Sequence, residues 1–316
     1  MARSQLALSA ANGPMFLTDG GMETTLVFHD GWDLPAFASF PLLDREDGRE
    51  WLRSYFARYL QVAAENGFGF VLDTPTWRAN PDWGAELGYD REALERINGD
   101  AVALAKDIRA EWQDRVSSIL ISGVIGPRGD GYKAGRMTSE EAEDYHHLQV
   151  SAFARAGADL VSAYTLSTAD EAVGIARAAG AVGLPVVISF TVETDGRLAS
   201  GEALGDAIQE VDDRTNGLPV HYMVNCAHPT HFADVLKDRP AWAERIRGIR
   251  ANASTMSHAE LDNSETLDAG DPVDLAARYR DLRTLMPQLV ELGGCCGTDH
   301  RHLQAIAEAC RGGVPA

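Results

Sequence analysis

The sequence is poor in cysteine and in positive charge. Four of its 316 residues are cysteine, too few for the disulfide framework that stabilises small secreted domains. Lysine and arginine number 28 against 47 aspartates and glutamates, which gives a formal net charge of −19. Nucleic acid is therefore not expected as a partner, because nothing offsets the repulsion of its phosphates.

The chain also lacks the long apolar runs of membrane proteins. No stretch approaches the roughly 18 consecutive apolar residues of a spanning helix, so we expect no membrane association. Residues 1–14 have neither the charged start nor the continuous apolar segment of a secretory signal. They are predicted to be a flexible or peripheral extension, and the expected location is cytoplasmic. The sequence does not indicate an oligomeric state.

What the chain does have is a regular alternation of apolar runs and helical patterns. Eight short runs are apolar rather than alternating, as expected of strands buried on both faces, at residues 15–18, 68–72, 118–124, 159–165, 185–190, 220–226, 246–252 and 289–295; the seventh is less apolar than the others. Helical spacing lies between them at residues 51–64, 91–112, 138–156, 169–179, 272–286 and 302–310. No G-x-G-x-x-G follows the first run, which disfavours an open dinucleotide-binding sheet. The pattern predicts one α/β domain over residues 1–316, a (β/α)8 TIM barrel with its active site at the C-terminal ends of the strands.

Three of the four cysteines follow predicted strands. Cys226 ends the sixth run and Cys295 ends the eighth; Cys296 follows directly, and glycines flank the adjacent pair. Because all strands of a parallel barrel end at one mouth, we expect these thiols to converge there as a zinc site with one open position. From the glycine turn alone, a structural cysteine pair, with or without a disulfide between the neighbours, and a phosphate-binding turn stay open. Nearby histidines are rival ligands: His228, His231, His300 and His302.

A zinc ion held by three thiolates suits the alkylation of a thiol better than hydrolysis. A thiol that enters the open position loses its proton to the charge of the metal and becomes a nucleophile at neutral pH. A methyl donor for such a reaction carries a sulfonium or quaternary ammonium group, and aromatic faces stabilise those cations. Trp77, Phe37 and Trp32 are the candidates for this role, with ordinary packing as the alternative for each.

With these residues in place, the chain resembles the homocysteine S-methyltransferase family, which includes S-methylmethionine-dependent and betaine-dependent enzymes. The resemblance runs from Leu17 to Ala309. The motifs that carry it are Asp19-Gly20-Gly21, Thr74-Pro75-Thr76-Trp77-Arg78-Ala79, Gly126-Pro127, Asn225-Cys226, Ala251-Asn252-Ala253-Ser254 and Gly293-Gly294-Cys295-Cys296-Gly297-Thr298. The last motif is specific when it is paired with Asn-Cys.

The resemblance implies that Cys226, Cys295 and Cys296 bind Zn²⁺ and that Asp19 helps to hold the amino group of homocysteine. The implied reaction is transfer of a methyl group to zinc-bound homocysteine, which gives methionine. Both partners are then small molecules, a thiol and a methyl donor. The residues predicted to contact substrate are Asp19, Thr74, Trp77, Tyr164, Thr165, Asn225 and Asn252.

The chain departs from the family pattern at three places. Tyr164 takes the place of a glutamate that usually contacts homocysteine, and a tyrosine supplies no carboxylate at neutral pH. Trp77-Arg78 replaces Tyr-Gln near the donor pocket, and Thr25 stands where many S-methylmethionine-dependent members have glutamate. The metal-binding cysteines are thus all present while the residues around the substrates differ, which leaves the donor and the acceptor open.

Other functions stay open at this stage. Tyr164 suggests methylation of a different thiol or of a selenol. From a different class, the chain is interpreted as a zinc-binding or thiol-binding protein without catalysis, and a zinc hydrolase is a third alternative. Cys310 is assigned no role beyond that of a helix residue near the C-terminus.

Overall fold

Eight parallel strands close into a barrel in sequence order. The computed structural model describes residues 14–311. Its strands are β1 (Phe16–Leu17), β2 (Gly69–Asp73), β3 (Ile119–Ile125), β4 (Leu160–Leu166), β5 (Val186–Phe190), β6 (His221–Asn225), β7 (Ile246–Ala251) and β8 (Glu291–Gly294). Phe16 of β1 pairs with Gly69 on one side and with Glu291 on the other, which closes the ring. The predicted (β/α)8 barrel is confirmed; the predicted extension, residues 1–14, lies outside the described residues except for Pro14.

Helices follow the strands on the outside of the barrel. They are α1 (Met22–Thr24), α2 (Glu46–Asn66), α3 (Pro81–Glu86), α4 (Arg91–Trp112), α5 (Ser139–Ala156), α6 (Ala169–Val182), α7 (Leu204–Thr215), α8 (Pro229–Leu236), α9 (His258–Asp262), α10 (Pro272–Leu285) and α11 (His300–Cys310). A π-helical turn continues α1, and shorter 3-10 turns cover Pro35–Phe37, Phe40–Asp44 and Ala241–Arg245. None of the helices within residues 14–311 is long and apolar enough to cross a membrane.

The helices differ in how clearly the sequence marks their ends. A capping box begins α5: the Thr138 hydroxyl accepts from the Glu141 N–H at 3.2 Å and the Glu141 carboxylate accepts from the Thr138 N–H at 2.9 Å. α2 ends at Gly67 in the left-handed conformation, with φ 75°. It begins at Glu46, before the predicted residue 51, because its first turn is polar and adds nothing to the apolar stripe. The unpredicted helices α3, α8 and α9 have 6, 8 and 5 residues, too few to show a helical period. The unpredicted α7 has 12 residues but no side-chain cap at its start.

Strand side chains alternate between the helix layer and the barrel interior. In β2, Phe70 and Leu72 pack in the main core with the helices, whereas Val71 belongs to a separate cluster. Because successive strand residues point to opposite faces, Val71 faces the interior, and so does Asp73 at the end of the strand. By the same alternation Arg250 of β7 points inward, since its neighbours lie in the main core. Two charged side chains, Asp73 of β2 and Arg250 of β7, therefore meet inside the mouth of the barrel.

Candidate active site

Three cysteines meet at the C-terminal mouth of the barrel. Cys226 follows β6, Cys295 and Cys296 follow β8, and their sulfur atoms all lie within 4.8 Å of one another. Cys226 and Cys295 are joined as a disulfide, with 5.3 Å between their Cα atoms, and Cys296 is a free thiol. The predicted convergence is therefore present, and the bonded pair is not the pair of sequence neighbours. Cys310 is buried in α11, outside this cluster.

Left-handed backbone at two strand ends turns functional side chains toward the mouth. Thr165 has φ 65° and Cys226 has φ 52°, a conformation that is costly for residues other than glycine and that clusters at functional sites. Asn225 stabilises this arrangement: its amide oxygen accepts from the Thr165 N–H at 2.9 Å and its amide nitrogen donates to the Thr165 hydroxyl at 2.9 Å. Ser189 of β5 donates to the same oxygen at 2.7 Å. One buried amide thus ties β4, β5 and β6 together beside the cysteines.

The carbonyl of Cys226 is held from behind by two further side chains. Asn252 donates its amide to this oxygen at 2.9 Å, and Nε2 of His258 lies 2.6 Å from it. Asn252 was predicted to contact substrate, but it does not line the cavity. Asn252 therefore supports the backbone of Cys226.

Glycines let the first loop pack directly on the cysteine turn. A Cβ on Gly21 would lie 2.7 Å from the Cys295 carbonyl oxygen and 3.2 Å from the Cys296 Cα. The Cys295 N–H in turn donates to the Ala251 carbonyl at 2.8 Å. The two adjacent cysteines are therefore positioned by backbone on both sides, which explains why Asp-Gly-Gly and Gly-Gly-Cys-Cys occur in the same chain.

A cavity of about 480 Å³ opens above the cysteines. Six of the seven residues predicted to contact substrate line it: Asp19, Thr74, Trp77, Tyr164, Thr165 and Asn225. Phe37 also lines it, but Trp32 does not; its ring packs instead against Trp51, with ring centroids 6.4 Å apart. The proposal of Trp32 as a cation-binding face is therefore wrong. Thr25 is likewise absent from this cavity, and its hydroxyl donates to the Gly21 carbonyl at 2.8 Å.

The cavity floor is a cluster of buried charged residues that could not be recognised in the sequence. Arg250 donates to Asp19 Oδ1 at 2.7 Å and forms a second, short ion pair with Asp73 Oδ2. Tyr164 donates its hydroxyl to the same Asp73 oxygen at 3.0 Å, and the guanidinium lies 4.6 Å from the centre of the Tyr164 ring. Tyr55 donates to Asp19 Oδ2 at 3.1 Å. Both oxygens of Asp19, the predicted partner of a substrate amino group, thus already have partners within the chain.

Burial dominates the electrostatics of this floor. Desolvation raises the pKa of Asp73 to about 7, although the Arg250 guanidinium opposes the shift. Desolvation also raises the pKa of Asp19, again against the charge of Arg250. Arginine stays protonated, so one guanidinium faces two carboxylates that cannot both ionise cheaply in low dielectric. Asp73 is therefore the group expected to take up a proton near neutral pH.

The cavity rim joins two long loops above Cys296. Tyr132, in the loop after β3, stacks on His258 of α9 with ring centroids 4.1 Å apart. The Tyr132 hydroxyl lies 3.9 Å from the Cys296 sulfur. Burial raises the pKa of the Cys296 thiol to about 11, so without a metal this sulfur stays protonated at neutral pH. A cation in the cluster would reverse that preference, because a coordinated thiol is deprotonated.

The histidines proposed as rival ligands lie outside the cysteine cluster. His228 accepts from the Thr230 N–H at 3.3 Å and caps α8, and burial lowers its pKa to about 4. His302 lies 2.8 Å from the Ala269 carbonyl and caps α11 together with Asp299. Among residues 14–311, the grouping with the geometry to hold a metal consists of cysteines. Soft thiolates in this number select zinc over magnesium or calcium, so the residues fit a zinc ion once the disulfide is reduced.

The fold and the site together define an α/β barrel with a cluster of three cysteines at its mouth that could hold a metal ion. The sequence profile of the family described as homocysteine S-methyltransferase matches residues 16–310. This chain belongs to that family and is an enzyme of the thiol methyltransferase type.

Solved structures of the homocysteine methyltransferase MmuM from Escherichia coli have the same fold. The oxidised form matches at 22% identity with a TM-score of 0.77, and the metallated form at 21% identity with a TM-score of 0.76. Each match covers 96% of this chain and 99% of the other. The apo form matches at 19% identity with a TM-score of 0.70. At these identities the likeness concerns the fold.

Proposed function

We propose that this protein is a zinc-dependent methyltransferase that moves a methyl group from a sulfonium or betaine-type donor to a thiol. Homocysteine is the acceptor that family membership favours. The observation that carries the proposal is the cluster of Cys226, Cys295 and Cys296, with all three sulfurs within 4.8 Å at the base of a substrate-sized cavity. Methionine synthesis and a cytoplasmic location remain predictions.

The chemistry divides between the metal and the cavity. Zinc on three thiolates supplies the charge that lowers the pKa of an incoming thiol. The acceptor sulfur forms a bond to the methyl carbon while the bond from that carbon to the donor breaks, and its electron pair stays on the donor atom. The sulfur or nitrogen atom of the donor becomes neutral as it leaves, and the thiol proton passes to solvent. The chain contributes the apolar faces of Trp77 and Phe37, which exclude water and leave the donor no competing nucleophile.

The test is zinc content and methylation measured on the same samples. Reduced wild type is compared with Cys295→Ala and with Cys310→Ser as a matched control, since Cys310 lies outside the cluster. We expect about one zinc per chain in wild type and control, and homocysteine methylation with S-methylmethionine or betaine. Cys295→Ala is expected to lose both. Zinc binding without methylation of any thiol would favour the binding protein, and absence of zinc from reduced wild type would contradict the proposal.

A second acceptor class is favoured by the cavity floor. Arg250 and Tyr55 occupy both oxygens of Asp19, and Tyr164 offers no carboxylate. An ammonium group bound at Asp19 would lie near the guanidinium and be repelled by it. The candidate is therefore a thiol without an amino group on its chain. Homocysteine and 4-mercaptobutanoate differ only by that amino group, so their kcat/KM ratio with one donor separates the two acceptors.

A further inference from the structure

Two opposite charges line the cavity without pairing with each other. Glu23 of α1 accepts from the Ser39 hydroxyl at 2.7 Å, and Arg78, after β2, donates through Nη1 to the Ala36 carbonyl. Both side chains are cavity-lining. No hydrogen bond or ion pair joins them within the part of the chain that the structure describes. Burial raises the pKa of Glu23 and lowers that of Arg78, in each case against the charge of the other group, because burial disfavours the charged form.

The guanidinium of Arg78 is fixed and keeps donors to spare. Its carbon lies 4.0 Å from the centre of the Trp83 ring and 5.0 Å from that of the Trp77 ring. Nε is buried without a partner, and Nη1 alone has a hydrogen-bond acceptor among residues 14–311. A planar guanidinium held in this way is preorganised for a carboxylate, which it binds through two parallel N–H groups.

The same geometry changes the role of Trp77. Its ring already faces the positive charge of Arg78, so a second cation placed against that ring would be repelled. The cationic end of a donor is therefore directed to Glu23, whose carboxylate is half-buried and accepts a hydrogen bond from Ser39 alone among the described residues. The arrangement of charges is complementary to a zwitterion.

We propose that Arg78 binds the carboxylate of the methyl donor while Glu23 stabilises its positively charged, methyl-bearing group. The donors are then zwitterions, sulfonium or betaine compounds with a carboxylate, and simple onium cations are poor substrates. This inference rests on the proposed function and specifies its donor. Glu23 supplies a carboxylate to the cavity. Thr25 does not, because it does not line the cavity and its side chain carries no charge.

An indirect role of Arg78 has to be separated from direct binding. Arg78 also holds the Ala36 carbonyl, and Ala36 and Phe37 both have left-handed backbone, with φ 52° and 51°. Loss of the guanidinium would release this turn and move Phe37, which lines the cavity. A purely structural effect would weaken every donor alike, whereas carboxylate recognition affects only donors that carry one.

The experiment uses 3-(dimethylsulfonio)propanoate and its methyl ester as donors, with zinc-loaded protein and a saturating thiol acceptor. Wild type is compared with Arg78→Gln, Arg78→Lys and the surface control Arg91→Gln, whose parent side chain is 76% exposed. We expect wild type to prefer the acid about 10- to 100-fold in kcat/KM. Arg78→Gln is expected to raise the KM for the acid by that factor. The kcat, the KM for the acceptor and the kcat/KM for the ester are expected to stay nearly unchanged. Arg78→Lys is expected to recover part of the loss.

Calorimetric binding gives a readout that does not need turnover. The product 3-(methylthio)propanoate carries the carboxylate and has a neutral thioether in place of the sulfonium, so its affinity is expected to fall in Arg78→Gln and not in Glu23→Gln. The sulfonium ester is expected to show the reverse. Equal weakening of acid and ester binding would show that Arg78 acts by holding the turn at Ala36. A changed KM for the acceptor would show that it acts on the thiol. Either result overturns the proposal. Retention of this binding pattern with no methylation would instead refute the proposed function and leave the ligand assignment standing.

Discussion

Asn225 and Thr165 are joined by two hydrogen bonds that run in opposite directions. The Thr165 N–H donates to Asn225 Oδ1, and Asn225 Nδ2 donates to the Thr165 hydroxyl, both at 2.9 Å. Both residues are almost fully buried, and Cys226 follows directly in a left-handed conformation. The asparagine of the Asn-Cys pair therefore stabilises the backbone that presents the cysteine.

Replacement of Asn225 by alanine is expected to reduce the free energy of unfolding by about 2–4 kcal/mol, because it leaves several buried polar groups without partners. Zinc affinity is expected to fall with it. Urea unfolding and zinc titration measure the two effects. Asn263→Ala, at an exposed helix end, is expected to stay within about 0.5 kcal/mol of wild type. Wild-type zinc affinity in Asn225→Ala would show that the cysteines do not depend on this amide.

A methyl group on Gly21 is expected to displace the cysteine turn. The added Cβ would lie 2.4 Å from the Thr24 Oγ1 and 2.7 Å from the Cys295 carbonyl oxygen, which is backbone. We expect Gly21→Ala to lose about 1–3 kcal/mol of stability and most zinc binding. Gly99→Ala is the control: it lies within α4 with nothing within 4 Å of the new Cβ, and a gain of about 0.5–1 kcal/mol is expected. Full zinc content in Gly21→Ala would contradict the close packing.

Asp73 predicts how stability varies with pH. Its pKa rises from 3.8 to about 7 on folding, so the folded state binds a proton that the unfolded state releases. The stability from this group is present at low pH and is lost as pH rises through about 7. We expect the free energy of unfolding of metal-free, reduced protein to fall between about pH 4 and pH 7, and the difference between wild type and Asp73→Asn to follow it. Urea unfolding at several pH values measures this difference. A difference that grew with pH would show that Arg250 keeps Asp73 ionised throughout.

The disulfide predicts mutual exclusion between oxidation and metal binding. Cys226 and Cys295 are bonded to each other, whereas Cys296 and Cys310 are free. Two thiols per denatured chain are therefore expected in the oxidised protein, against the four cysteines of the reduced chain. Zinc is expected to bind after reduction only, because a disulfide offers no thiolate. Stoichiometric zinc in protein that still titrates two thiols would rule this out.

The barrel could be predicted from sequence because its strands are apolar runs with helical patterns between them. The cysteine cluster could be predicted because residues after parallel strands share one mouth. The Asp73–Arg250 pair could not, since 177 residues separate its partners and their strands face each other across the barrel without pairing. In the sequence, Asp73 is only the residue after the second apolar run, and Arg250 lies within the seventh run. A charge directed into a barrel is recognisable once the strand alternation around it is known.

The unpredicted contacts of Arg78 and Glu23 have a different cause. Arg78 lies in the loop after β2 and Glu23 in the three-residue helix α1, and neither segment has a periodicity that tells which way a side chain points. The departures at positions 25 and 78 showed that the residues near the substrates were unusual. They did not show that the Glu23 carboxylate, two residues before Thr25, faces the cavity. Only the structure relates these two charges to each other.

The close approach of glycine backbone to the cysteine turn divides the active site into two parts. Gly21, Ala251 and Asn225 constrain the cysteines through main chain and buried amides, whereas Tyr164 and Arg78 reach the cavity as side chains from other strand ends. Substitutions in the second group leave the first nearly untouched. A barrel built in this way can exchange one donor or acceptor for another in a few mutational steps while it keeps the same reaction.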